Sequence, residues 1–524
     1  MTGTVKVHCL NTDEQKEIPI GTSLVDLIGE FAIKSPYLIT NARVNNKTES
    51  LTYRVYRPKN VEFVDLTDSS AMRTYVRSLC FILAKAVDDI MPHAKTYIEH
   101  AVSRGYYFQI ESDLPVGKQE LDAVLKRMKE IVEADIPFEQ VEEETEKVVQ
   151  LFRKLGLDDK AQLLETSDLL YARYSRLDGY IDYFYGSLTP TTGYITLFDI
   201  QPHNGGFLLR VPNRHNPVEL EPEVKQEKLL NVYREHLNFL KISRLDNVGD
   251  LNRAIREDRV YEVIQVAEVY QSMQITDIAK VISDKSKDGV RVVFISGPSS
   301  SGKTTFRKRL EVQLMVNLLK PVGISLDDYF VDRDKTPLDE NGEKDYESLY
   351  ALDLELFEDH MLKLIKGETV ELPSYNFVTG KREYRGNYLK MDDNSILIVE
   401  GIHGLNPELT EHIPEEMKFK IYVSALTTIS LDDHNWIPAS DNRLIRRIVR
   451  DHTYRGYSAQ QTISRWDSVR RGEDKWIFPF QENADVMFNS AMIYELAAIR
   501  RHAEPVLMQV PRTVPEYSEA YRLL

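Results

Sequence analysis

The sequence predicts a multidomain chain: a β-grasp unit over 1–62, an α+β domain over 63–215, a helical connector over 216–289 and an α/β domain with a parallel sheet over 290–524. Three observations carry this. At 524 residues the chain is too long for one core, since domains usually run to roughly 100–200 residues. The pattern opens as strand, turn and helix, and later becomes charged and helical, with no glycine between Gly206 and Gly249. It then switches at RVVFIS, a buried-type strand followed at once by a glycine-framed turn.

Residues 2–9 alternate as a strand, and IPIGTSLVDLIGEF adds a second strand, a Thr22/Ser23 cap and an apolar helix face. Apolar residues from Met72 to Met91 recur at helical spacing, and two more amphipathic helices are expected over 118–134 and 139–155. Strand-like pieces follow around 180–210, and Glu223–Asp288 reads as helical.

Hydrophobic residues make up 42% and charged residues 28%, an ordinary globular mixture. The net charge of −16 disfavours duplex DNA and anionic membrane as broad partners. Cys9 and Cys80 alone cannot build a disulfide framework or a thiolate zinc site, which fits a reducing compartment, the cytoplasm. Neither a signal peptide nor an apolar run of membrane-spanning length is expected.

The strongest motif is Gly297-Pro-Ser-Ser-Ser-Gly302-Lys303-Thr304-Thr305, a full match to G-x-x-x-x-G-K-[ST] between a predicted strand and helix. Gly297, Ser299, Ser300, Ser301, Gly302 and Thr305 belong to a loop whose backbone N–H groups cradle ATP phosphates at a helix N-terminus. Lys303 is expected on the β- and γ-phosphates, and the Thr304 hydroxyl on Mg²⁺. SILIVEGIHGL is a second buried strand ending in Glu400, placed to serve the same Mg²⁺. PVGISLDDYF is a third, ending in Asp327 and Asp328, one of which could take the proton of an attacking hydroxyl. Arg443, Arg446, Arg447 and Arg450 share one helix face that suits a lid over phosphates, with Arg455 following.

The motifs GPSSSGKTT, SLDDYF, PSYNFVTGKR, IVEGIHGL and DNRLIRRIVRD, in that order, resemble the uridine kinase and phosphoribulokinase group of P-loop kinases over 290 to about 500. The resemblance implies ATP- and Mg²⁺-dependent phosphorylation of a sugar-type hydroxyl, with Asp327 as base and Lys303 and Arg446 on the phosphates. It implies acceptor contacts at Tyr346, Glu347, Tyr375, Phe377, Arg443 and Gln461. Gly380 stands where uridine kinases carry a base-reading histidine, which implies a roomier pocket short of one donor. The segment LDDHNWIPASDN is longer than the family's link and leaves His434 and Trp436 unexplained.

Residues 1–62 resemble a TGS domain, and LAKAV, GYYFQI and YIDYFYGSLTPTTGYI resemble the second, editing-type domain of threonyl-tRNA synthetase. Its reacting positions fall on Arg77, Phe81, Phe184 and Leu188, which can neither ligate a metal as a set nor move protons, so editing is expected to be absent. His93 and His100 are expected at the surface. Tyr171, Tyr174, Tyr180, Tyr183 and Tyr185 are expected to pack within their strand pair rather than stack bases.

The leading function is a nucleoside kinase of uridine kinase type. Alternatives are transfer to a sugar phosphate or polyol, and a nucleotide-gated RNA-binding regulator working through the N-terminal domains. A nucleoside or other small sugar-type molecule is the expected partner; RNA contact and homo-oligomerisation are left open.

Overall fold

The computed structural model describes residues 3–340 and 342–524. The first strands, Thr4–Cys9 and Glu14–Pro19, form a hairpin, and Lys59–Asp65 runs parallel to the first. Ile39–Val44 and Lys47–Ser50 complete a mixed five-stranded sheet. The helix Leu24–Glu30 closes its core with Leu24 and Leu27, and starts at a Ser23/Asp26 capping box.

The α+β part is built on the helix Ser69–Ile90, the most thoroughly buried helix of the chain's N-terminal half, which explains its nearly continuous apolar face. It lies with Lys118–Glu133 against the antiparallel strands Lys95–Val102, Gly105–Glu111, Asp199–His203 and Gly206–Arg210. The expected helix over 139–155 is instead a strand, Glu139–Glu144, followed by a helix, Thr145–Lys154. Six residues with one apolar side chain, Val141, have no helical face to bury, whereas pairing with Tyr171–Leu177 satisfies their backbone. His100 corrects the surface expectation: it is buried and stacked on Tyr233 with ring centroids 3.7 Å apart, while His93 is exposed. The tyrosines divide as well, Tyr174 being buried and Tyr171 and Tyr185 exposed.

Helices Glu227–Ser243, Val248–Arg256 and Val260–Lys287 fill the connector. The last of these does more than connect, because Ile275, Ile278, Ala279 and Ile282 enter the core of the parallel sheet beside Phe306 and Leu310. That sheet runs in the order Lys320–Ser325, Ser395–Glu400, Val292–Ser296, Lys418–Ser424, Val486–Asn489, all parallel. Val292–Ser296 is buried along its whole length, as a strand covered by helices on both faces must be. Among the described residues no helix is long and apolar enough to cross a membrane.

Candidate active site

Register brings the chemistry to one edge. Ser325 pairs with Glu400, and Ile295, one residue before the end of its strand, pairs with Glu400 from the other side. The carboxyl ends of three strands therefore open together, where open α/β sheets bind ligands. From the central strand the chain enters the turn at Gly297, whose φ is +154° and where a Cβ would lie 1.9 Å from the Val423 carbonyl oxygen. Only glycine fits there. Ser300 at φ +60° and Gly302 at φ +84° complete the loop, and Lys303 begins the helix Lys303–Val316.

The loop has the unmet polar capacity expected of a phosphate cradle. The Ser300 and Ser301 hydroxyls are buried without a hydrogen-bond partner. Lys303 Nζ donates to the Gly297 and Pro298 carbonyls at 2.8 and 3.2 Å. Burial pulls its pKa down, opposed by Glu400 and Asp327. Thr304 Oγ1 donates to Glu400 Oε1 at 2.7 Å, and Arg307 Nε holds the other carboxylate oxygen at 3.2 Å. Thr305 lies exposed on the same first turn.

The two aspartates separate. Asp328 Oδ1 accepts the Tyr375 N–H at 3.2 Å and so ties the turn Leu326–Tyr329 to the strand Val370–Asn376. Asp327 is an exposed residue at the sheet edge. The protein crowded around it raises its pKa, Lys303 opposes that rise, and Glu400 and Asp328 add to it. Glu347 lies under the same influences. Burial pushes its carboxyl up to about 7; Arg447 and Lys303 oppose the rise, and Glu473 and Asp327 add to it. Its Cβ lies where a side chain on Gly472 would be, 2.4 Å from a Cβ built there. Tyr346 is exposed beside it.

Tyr375 and Phe377 meet edge to face at 5.1 Å, with Tyr375 buried and Phe377 open to solvent. Gly380 does not leave the open space its lack of a side chain suggests. Arg333 fills it: a Cβ on Gly380 would meet Arg333 Nε at 2.7 Å, and Arg333 Nη2 donates to the Phe377 carbonyl. The guanidinium brings donors to the position where the resemblance implies a histidine.

The arginine helix, Ala439–Arg455, lies against the phosphate loop, but its charges are largely engaged. Arg443 is 3% exposed, pairs bidentately with Glu473, and donates to the Ser299 carbonyl at 3.1 Å. It can reach an acceptor only by breaking that pair, so the structure makes it a brace of the loop. Arg446 is held by Glu495 and donates to the Ser300 carbonyl at 3.4 Å and to Ser490 Oγ at 3.2 Å. Gln461 is exposed and spends its side-chain carbonyl on the Ser458 N–H in a capping box, not on the cleft. Arg447, expected on the same lid-like face, donates to Ser299 Oγ at 2.7 Å.

Glu473 and Arg333 escaped sequence reasoning. In DSVRRGEDKW a buried glutamate looks like one more charge on a solvated face. Yet Glu473 has no solvent exposure, takes both Arg443 and Arg470, and accepts the Ser299 N–H at 3.2 Å.

Residues 292–496 match the model of the Phosphoribulokinase / Uridine kinase family, so the chain carries a domain of that family in its C-terminal half. A uridine kinase of Staphylococcus aureus is 29% identical over 197 residues, covering 37% of this chain and 86% of that protein. The N-terminal half matches threonine–tRNA ligases; that of Syntrophomonas wolfei is 27% identical over 203 residues, covering 38% of this chain and 31% of the ligase. The chain thus spans about a third of the length of the ligases it matches. Among solved structures, a possible uridine kinase from Bacillus stearothermophilus is 20% identical, covers 38% of this chain and 89% of its own, and has a TM-score of 0.26.

Proposed function

We propose that this protein is an ATP- and Mg²⁺-dependent kinase that phosphorylates the 5′-hydroxyl of a nucleoside. The observation that carries the reading is the convergence at one sheet edge of Lys303, the Thr304–Glu400 pair and an exposed Asp327. Loop N–H groups and the orphaned Ser300 and Ser301 hydroxyls bind the phosphates, while Arg446 and Arg447 add charge from the loop's outer wall. Thr304 and Glu400 would hold Mg²⁺, which when bound neutralises phosphate charge. Asp327 accepts the acceptor's hydroxyl proton as the new O–P bond forms and the bond from the γ-phosphorus to the ADP oxygen breaks. Glu347 and Tyr346 face the sugar, and Tyr375 and Phe377 offer the base an aromatic wall.

Arg333 favours a second acceptor class, a sugar phosphate, because a guanidinium beside Tyr375 suits an anion. In the N-terminal half, the mixed sheet with its parallel first and last strands supports a TGS-like β-grasp reading for 1–62. The ligase similarity supports a synthetase-like domain over 63–215. ADP release measured against uridine, cytidine, adenosine, inosine, deoxyuridine and a set of sugar phosphates and polyols tests the acceptor. Turnover of a sugar phosphate or polyol and of no nucleoside would remove the nucleoside reading.

A further inference from the structure

Between the strand Lys418–Ser424 and the arginine helix lies the segment LDDHNWIP, residues 431–438, which the site above leaves without a role. It leaves the α/β part and crosses to the α+β part, with Asp432, His434 and Asn435 buried and Trp436 half-buried. Lys160 Nζ, itself 1% exposed, stands 3.2 Å from Asp182 and 2.7 Å from Asp432. His434 Nδ1 lies 2.7 Å from Asp182 Oδ2, and its ring stacks on Phe184 at 6.0 Å. Trp436 packs on Tyr106 at 4.6 Å. The backbone is tied in too: the Ile98 N–H donates to the Asp433 carbonyl, and the Asp433 N–H to Asp159, each at 2.8 Å.

Phe184 also stacks on Phe81 at 5.1 Å, and these two occupy positions where the resembling synthetase domain places reacting groups. The segment is a plug seated on that aromatic pair through the His434 ring. A second strut reaches the same helix one turn later. Arg73, on the helix Ser69–Ile90, holds Glu519 at 3.2 Å; Glu519 pairs with Arg522, and Arg522 holds Asp441 in the helix's first turn at 2.6 and 2.9 Å.

We propose that Lys160, Asp182, His434 and Trp436 are positioning residues for phosphoryl transfer, holding the helix Ala439–Arg455 against the phosphate loop from the N-terminal half. The inference rests on the reading that this loop binds ATP phosphates. Buried opposite charges fix their partners closely because a displaced one is left unpaired in a poor solvent. The helix they fix carries Arg443, Arg446 and Arg447, which reach the loop at Ser299 and Ser300. A shift of about 1 Å far from the chemistry can cost about a hundredfold in rate.

The test uses the full chain carrying His434→Ala with Trp436→Ala, read by amide hydrogen exchange and by turnover. Exchange in 439–455 should quicken at least about tenfold while Val292–Ser296 stays protected, because local openings follow local packing. In turnover, kcat should fall about 10- to 100-fold with KM for ATP within about threefold, since the lost contacts act through the transition state. Lys160→Arg should retain most of kcat and Lys160→Met should not. Unchanged exchange in 439–455, or unchanged kcat, overturns the proposal. If the double variant does not fold, Trp436→Phe is read in the same two ways. The exchange arm needs no acceptor, so a wild type that turns over no nucleoside would defeat the substrate reading while the plug is still decided.

Discussion

Thr304 Oγ1 and Glu400 Oε1 lie 2.7 Å apart, joining the first turn of the phosphate-loop helix to the end of the neighbouring strand. Arg307 neutralises the other carboxylate oxygen at 3.2 Å, so the carboxylate is oriented before any ligand arrives. Glu400→Gln keeps the shape and removes the charge. The Mg²⁺ concentration for half-maximal activity should rise about tenfold or more, as when one ligand of a cation site is weakened. A magnesium titration of turnover at saturating ATP checks it; an unchanged midpoint would take Glu400 out of the metal site.

Asp327→Asn should lower kcat about 10²- to 10⁴-fold while leaving Mg·ATP binding intact, because it removes a proton acceptor and no phosphate contact. The raised pKa gives the wild type an acid limb above the ordinary carboxylate range: activity is low while Asp327 is protonated and rises with pH as it ionises. Fluorescent-ATP binding and a pH–rate profile separate the two effects. A variant keeping more than about a tenth of wild-type turnover would assign the base elsewhere.

Glu347 makes a stability prediction with a definite sign. Its carboxyl titrates near 7 in the folded chain against an ordinary value of 4.5, so between these values the native state binds the extra proton. Stability conferred by the neutral form is therefore present at low pH and is lost as pH rises through about 7. Glu347→Gln should raise the melting temperature at pH 8 and flatten its fall between pH 5 and 7, each kcal/mol relieved being worth roughly 2–4 °C for a cooperative unit the size of the α/β part. Parallel melts across that range decide it.

Gly380→His, which restores the histidine that the family resemblance implies, should damage the site. The position has φ +68° and its Cβ would collide with Arg333. The expected result is a loss of acceptor kcat/KM of about tenfold or more, from strain of order 1–3 kcal/mol. Arg333→Ala should relax discrimination between acceptors without moving KM for ATP. Sharpened selection by Gly380→His would show that Arg333 yields readily.

Truncating Arg443 to alanine should destabilise the chain by about 3–5 kcal/mol, because Glu473 would remain buried with the less favourably placed Arg470 as its one side-chain partner. Denaturant unfolding followed by tryptophan fluorescence measures this. Arg443→Ala together with Glu473→Ala should recover part of the loss.

Local chemistry was legible in the order of residues: a strand, a turn closed to side chains at Gly297, and a helix starting at Lys303 follow from spacing and glycine placement alone. The acids at strand ends were legible for the same reason, since buried parallel strands read as apolar runs whose carboxyl ends share an edge. Partnerships between residues far apart in the chain emerged only from the fold. Asp327 and Asp328 are adjacent and alike until Tyr375 takes one of them; Gly380 looks like empty space until Arg333 covers it. His434 and Trp436 have no role legible in sequence because their partners, Asp182, Phe184 and Tyr106, lie about 250 residues or more away. Local spacing reports propensity and periodicity, whereas a buried charge acquires its meaning from whichever side chain the fold brings within about 3 Å of it.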